Sequence, residues 1–194
     1  ETAQLPPGFS FPVVVKARRN GYDGQGTFIV KDKSTLESLY HRYPDTPFLI
    51  EEFIKFDREL AVIAARGVSG ETVTEVCDSI ARKLVVSLDA IGLLAIELFA
   101  TPDGKVLVNE IAPRTHNSGH LTIEACATSQ FSQILRAVAG LPLGNTELTC
   151  AGAVMVNLLG YEDIESDYLT KRQQIAEIPN TYVHWYGKTQ SRIG

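Results

Sequence analysis

Hydrophobic positions along the chain change period several times, and each change marks an element. Phe11–Lys16 (FPVVVK) is a β-branched run that predicts a strand. A polar stretch, NGYDGQG, separates it from TFIVKD, so the two runs predict a hairpin with a long Gly-rich loop. From Ser34 to Arg42 the spacing is helical, with Leu36, Leu39 and Tyr40 on one side and Ser34 as candidate N-cap. Pro47–Glu52 (PFLIEE) and Arg58–Arg66 (RELAVIAAR) return to strand character. Asp78–Ile91 predicts an amphipathic helix: Ile80, Ala81, Leu84, Val85, Leu88 and Ile91 form its stripe, and Gly92 stands at its C-terminal stop. Thr122–Ala139 predicts helix in two pieces ending at Gly140. Gly152–Leu159 (GAVMVNLL) predicts a buried strand, and Tyr182–Tyr186 (YVHWY) a last short one.

Element order predicts an α+β fold of two lobes. Residues 1–54 would form the smaller lobe, 55–160 the larger, and 161–194 the start of a C-terminal subdomain. The join near Glu51–Phe56 predicts a hinge, and ligands commonly bind between lobes.

The stretch from Ile91 to His120 carries the sharpest chemistry. LLAIELFA and KVLVNEIA predict a hairpin turning at Pro102-Asp103-Gly104. If Asp103 and Gly104 are a two-residue loop, Pro102 faces Lys105 and Glu97 falls opposite Glu110. Cross-strand Cβ atoms lie roughly 5 Å apart, a distance at which like charges repel. Their neighbours on that face would be Ala95, Phe99, Val108 and Ala112. Two carboxylates there need a shared proton or a cation, and Mg²⁺ is the natural hard-ion partner. A three-residue loop would separate the pair, and the plainer alternative is two glutamates facing solvent at a sheet edge.

The net charge of −5 argues against nucleic acid as a main partner, although Lys16, Arg18 and Arg19 cluster. The hydrophobic content of 44% is ample for a core. No apolar run approaches the ~18 residues of a membrane span, and no charged-then-apolar leader opens the chain. Cys77, Cys126 and Cys150 are odd in number and widely spaced, which predicts free thiols in a reducing cytoplasm.

Lys16 ends a strand just before glycines at 21, 24 and 26. A lysine beneath a flexible Gly loop can neutralise phosphates while loop N–H groups wrap them. The loop is neither a P-loop nor a dinucleotide fingerprint, and a decorated hairpin would look the same. Tyr22 at its tip is free to touch a ligand. Glu51-Glu52-Phe53-Ile54 could read an adenine edge at the hinge, with Glu59 accepting from ribose hydroxyls. Arg114, His116, Asn117 and His120 follow Glu110 closely. Arg114 and His116 suit a small oxyanion, whereas His120 suits a cap for the helix near Thr122. No nucleophile elbow or zinc-protease motif is present, and Cys126 reads as core.

These segments resemble the ATP-grasp enzymes, and among them the N5-carboxyaminoimidazole ribonucleotide synthases. The matching runs are PVVVKARRNGYDGQG, IEEFIKFDRELAVIAARG, IARKLVVSLDAIGLLAIELF, VNEIAPRTHNSGHLTIEACATSQFSQILRAVAGLPLG and VHWYGK. NEIAPRTHNSGH with TSQF is the specific part; the Gly-loop hairpin is general to the superfamily.

The resemblance implies an ATP- and bicarbonate-dependent ligase of purine biosynthesis with Mg²⁺ as cofactor. Lys16, Gly21, Tyr22, Asp23, Gly24, Gln25, Gly26 and Thr27 would cover the ATP phosphates. Glu51, Glu52, Phe53 and Ile54 would bind adenine, and Glu59 the ribose. Glu97 and Glu110 would hold Mg²⁺ beside Asn109. Arg114, His116 and Asn117 would form the bicarbonate and carboxyphosphate pocket, with Tyr22 joining the catalytic set. Tyr22, Asp23, Lys188 and Arg192 would meet aminoimidazole ribonucleotide. A cytoplasmic homodimer is implied on the same ground.

The chain departs from that pattern in four places. An opening nucleotide-like α/β domain is not present. GETVTEVCDSIARK runs straight through where a further strand and loop are expected between Val76 and Cys77. The chain stops at RIG, and position 25 is Gln where Arg or Lys is usual. A shortened chain is expected on these grounds. The competing functions are another ATP-grasp ligase with a different acceptor pocket, and a nucleotide-binding module without catalysis.

Overall fold

The computed structural model describes residues 4–19, 26–74 and 78–193. The chain divides into two compact units, Glu1–Thr149 and Cys150–Gly194.

The first unit opens with a three-stranded antiparallel sheet. β1 (Val13–Ala17) lies between β2 (Thr27–Val30) and β3 (Phe48–Glu52), with helix α1 (Lys33–Arg42) between the second and third strands in sequence. Val13, Val15 and Val30 alternate inward and meet Leu36 and Leu39 of α1, which makes the small core. Phe48 closes it edge-on against Phe28, Tyr40 and Tyr43. The cap of α1 is Asp32 rather than Ser34. Its extended backbone points Oδ1 back at the Thr35 N–H, 2.8 Å away, and Ser34 donates its hydroxyl to the same carboxylate.

A four-stranded antiparallel sheet follows in the order β5–β4–β6–β7. Its strands are β4 (Arg58–Arg66), β5 (Thr72–Thr74), β6 (Gly92–Ala100) and β7 (Val106–Ala112). The three-residue β5 is too short to show a period in the sequence. Helix α2 (Asp78–Ser87) packs Ala81 and Val85 onto Val62, Ala64, Leu94, Ile96 and Leu98, one face of the sheet. α2 stops sooner than its apolar pattern predicts. Asp89 takes a left-handed φ of 46°, so Leu88 and Ile91 fall outside the stripe and stay exposed at 55% and 53%. Gly92 does not end the helix; it starts β6 with a φ of 124°.

The opposite face is covered by α4 (Gln130–Val138), which follows the short α3 (Thr122–Ala125). Ile63, Ala65, Leu93, Ala95 and Ala112 form a second core there with Ile134.

The second unit holds a two-stranded ladder of β8 (Ile164–Glu165) and β9 (Gln190–Ser191), with α5 (Leu169–Ala176) between them in sequence. Arg172 stacks its guanidinium 4.6 Å over Trp185. The strands predicted at 152–159 and 182–186 do not form. Val154 is 90% exposed, and Tyr182 and Tyr186 also face solvent. An apolar run becomes a strand only against a partner ladder, and no described strand runs beside either segment.

Candidate active site

The decisive local geometry is the β6–β7 hairpin. Its loop has three residues, Pro102, Asp103 and Gly104, not two. The Thr101 N–H donates to the Lys105 carbonyl at 2.9 Å, the Lys105 N–H donates to Thr101 Oγ1 at 3.1 Å, and Gly104 carries a φ of 80°. Near the turn the register is therefore shifted by one from expectation: Phe99 faces Leu107 and Leu98 faces Val108. Val108 thus lies on the face opposite that predicted. A β-bulge between Glu97 and Leu98 then takes up the extra residue at Asn109 and restores the pairing of Glu97 with Glu110. The same bulge lets neighbours Asn109 and Glu110, which a regular strand would send to opposite faces, both oppose Glu97.

Alternation along β4 and β6 divides this sheet face in two. One half, Ile63, Ala65, Leu93 and Ala95, is buried under α4. The other half carries Glu59, Ala61, Glu97 and Phe99, where Glu59 pairs with Phe99 and Ala61 with Glu97. Ala61 is small, which leaves room beside Glu97. Together with Asn109 and Ser118 these residues line a cavity of about 210 Å³. Phe99 is backed by Phe56 in a parallel stack, 4.3 Å between ring centres.

Lys16 reaches this half from the smaller sheet. Its ammonium lies 2.7 Å from Glu51 Oε2 and donates to Asn109 Oδ1 at 3.3 Å. Lys16 and Glu51 thus form one ion pair at the rim rather than two separate contacts. Among the described residues no strand pairs with the outer edge of β3. Ile54 is half-buried, while Glu52 and Phe53 are exposed.

On the other side, the segment after β7 folds over Glu97. His116 caps a single 3-10 turn at Asn117–Gly119, its Nδ1 accepting from the Ser118 N–H at 3.4 Å. The Ser118 hydroxyl donates to Glu97 Oε1 at 3.3 Å, and His116 Nδ1 lies 3.7 Å from that oxygen. Asn117 is half-buried in this turn. Arg114 is exposed, its guanidinium donating to its neighbour's carbonyl, Thr115 O. His120 does not cap α3; it stacks on Phe131 and takes a hydrogen bond from Gln130. Thr27 begins β2, and Gly26 precedes it at a φ of 81°. Gly21, Tyr22, Asp23, Gly24 and Gln25 lie outside the described residues, as does Cys77. Lys188 and Arg192 belong to the second unit; the Lys188 carbonyl accepts from Trp185 Nε1, and Arg192 lines a cavity with Asp163 and Ser191.

Two participants escaped sequence reasoning. Ser118 lies between the candidate residues Asn117 and His120 and carries no signal of its own in the sequence. Gln130 opens an amphipathic helix whose buried face carries Gln130 and Gln133 while Leu135 and Val138 face outward. No hydrophobic period identifies such a residue.

The donor set suits a hard divalent cation. Glu97, Glu110 and Asn109 offer oxygen ligands, and among the described residues no group of three or more His, Cys, Asp or Glu could hold a metal ion. An ion held by two carboxylates and completed by water and substrate phosphate fits that arrangement.

A small sheet bearing a lysine over a second sheet bearing a paired carboxylate site is the architecture of an ATP-grasp domain. The sequence model of that domain matches residues 1–79 and 71–131, and this chain belongs to the ATP-grasp family. Residues 153–194 match the C-terminal domain of phosphoribosylaminoimidazole carboxylase. The chain is similar to the N5-carboxyaminoimidazole ribonucleotide synthase of Synechococcus elongatus, 48% identical over 95% of this chain and 53% of that protein. The Synechocystis sp. enzyme of the same name is 42% identical over 99% of this chain and 58% of its own length. The chain thus spans about half the length of the curated relatives it matches. Among solved structures, N5-carboxyaminoimidazole ribonucleotide synthetase from Thermotoga maritima superposes with a TM-score of 0.76 at 38% identity, covering 95% of this chain and 55% of that one. The Aspergillus clavatus synthase in complex with ADP and 5-aminoimidazole ribonucleotide gives 0.77 at 27% identity, with the same coverages.

Proposed function

We propose that this chain forms the ATP- and bicarbonate-handling part of an N5-carboxyaminoimidazole ribonucleotide synthase. The observation that carries the reading is the bulge at Asn109. It turns Asn109 and Glu110 toward Glu97, with Lys16 donating to Asn109 from the other sheet and His116 close on Glu97's far side.

In this reading Lys16 and the Gly21–Thr27 loop hold the ATP phosphates, the open edge after β3 takes adenine at Glu51, Glu52, Phe53 and Ile54, and Glu59 takes the ribose. Glu97, Glu110 and Asn109 would hold Mg²⁺, which would offset charge developing on the transferred phosphoryl group. Bicarbonate attacks the γ-phosphorus, the bond to the bridging oxygen breaks, and ADP leaves with that electron pair. Arg114, His116 and Asn117 cradle the resulting carboxyphosphate. The aminoimidazole amine attacks its carbonyl carbon, expels phosphate and loses a proton to give the carbamate. Tyr22, Asp23, Lys188 and Arg192 bind that ribonucleotide. Residues 1–54 and 55–160 act as the two lobes and 161–194 as the start of the C-terminal subdomain of a cytoplasmic homodimer.

The test measures ADP release by the full-length protein given ATP and bicarbonate, with and without the ribonucleotide. Stimulation is expected; equal rates would remove the acceptor assignment. Glu110→Gln is expected to lose Mg²⁺-dependent ADP release by on the order of a hundredfold, and normal release would remove the metal role.

A further inference from the structure

We infer that Gln130 is a positioning residue that sets the pose of His116 over Glu97, an inference resting on the bicarbonate reading of His116. Gln130 has no solvent exposure. Its side-chain amide pairs with the His116 peptide as one strand pairs with another: Oε1 accepts from the His116 N–H at 3.0 Å, and Nε2 donates to the His116 carbonyl at 2.8 Å. The peptide offers one donor and one acceptor, so the amide has only one orientation. Its second N–H then points to His120 Nδ1, 2.8 Å away, which must accept and so carries no proton. One buried amide thereby fixes both ends of the His116–His120 segment.

Gln130 is anchored in turn. Its backbone N–H donates to Thr122 Oγ1 at 2.9 Å, and that hydroxyl donates to the Gly119 carbonyl at 2.6 Å. Gly119 lets the amide approach: a Cβ there would lie 2.6 Å from Gln130 Oε1 and 3.0 Å from Ile63 Cγ1. What leaves this rigid frame is the His116 imidazole, which meets Ser118 and through it Glu97. Gln130 touches neither cation nor substrate; it acts through His116. A buried amide is worth keeping here because an apolar residue would leave the His116 N–H and C=O unpaired.

The test compares Gln130→Leu, Gln130→Glu and His116→Ala in the full-length protein. Gln130→Leu removes all three side-chain bonds; Gln130→Glu keeps the acceptor for the His116 N–H and loses the donors. In folded Gln130→Leu, exchange of the His116 amide hydrogen is expected to speed at least about tenfold while that of Ile96 is unchanged. The KM for bicarbonate is expected to rise by roughly ten- to a hundredfold, and that for ATP by less than about twofold. Gln130→Glu should fall between Gln130→Leu and wild type, and it decides the matter if Gln130→Leu does not fold. Folded variants with an unchanged bicarbonate KM, or with all constants falling in step with the folded fraction, would overturn the positioning role. A normal bicarbonate KM in His116→Ala would instead defeat the reading of His116 itself. An impaired His116→Ala beside unimpaired Gln130 variants would defeat the positioning role alone.

Discussion

Glu97 meets a different neighbour on each side, and that asymmetry is what makes it more than an acid on a strand. Small Ala61 pairs with it on one flank, Glu110 pairs with it on the other, and the Ser118 hydroxyl donates to it. Gly119 is the residue on which this crowding depends most. Gly119→Ala would drive a methyl group to within 2.8 Å of Gln130 Cδ. A thermal or urea unfolding curve should show a loss of about 1–3 kcal/mol. An unchanged midpoint would mean that the amide yields without cost. The segment's residue types pointed to an anion pocket, but not to what holds them still. Gln130 acts through a side chain inside the core, and its position on α4 follows no apolar rule.

The hairpin between β6 and β7 shows how an element can be predicted correctly from an incorrect premise. The pairing of Glu97 with Glu110 was legible from alternation and a turn signal. The loop length was not, because Pro-Asp-Gly serves two- and three-residue turns alike. The bulge was equally invisible, since Asn109 reads as one more polar position. These two departures cancel at Glu97 and nowhere nearer the turn, which is why Val108 changes face. β4 matches its predicted limits because the unbroken apolar run from Leu60 to Ala65, closed off by Arg58 and Arg66, leaves little choice. The segment at 152–159 has the same apolar character without a partner, and composition cannot supply one.

The hairpin turn also sets a pH expectation. Asp103 is held down to about 2, first by the hydrogen bond from the Lys105 ammonium and then by that from the Thr101 hydroxyl. A depressed carboxylate contributes stability that is fully present above its ordinary 3.8 and lost as pH falls through about 2. Carboxyl carbon shifts followed by NMR should show Asp103 titrating well below an exposed aspartate. A midpoint near 3.8 would mean that the turn contacts do not persist in solution.

Across the whole molecule, the first unit joins two sheets with different tasks. The smaller carries Lys16; the larger carries the acid pair and the His116 turn. Their meeting at Lys16, Glu51 and Asn109 links an ammonium to a carboxamide beside the paired acids. The ATP-grasp plan was legible because Lys16, the glycines, Glu97 and Glu110 are each local signals that recur in order. Two parts of the sequence reading stay apart from this geometry: the Gly-loop tip lies outside the described residues, and Lys188 and Arg192 belong to the second unit.

Carboxyphosphate chemistry makes one direct demand. In the proposed route bicarbonate attacks phosphorus through its own oxygen, so that oxygen must leave on phosphate. The measurement is the fate of ¹⁸O from freshly labelled bicarbonate, with ATP and aminoimidazole ribonucleotide supplied to the full-length protein. The account predicts one ¹⁸O in the phosphate released for each carbamate formed. Carbamate formed alongside unlabelled phosphate would contradict it.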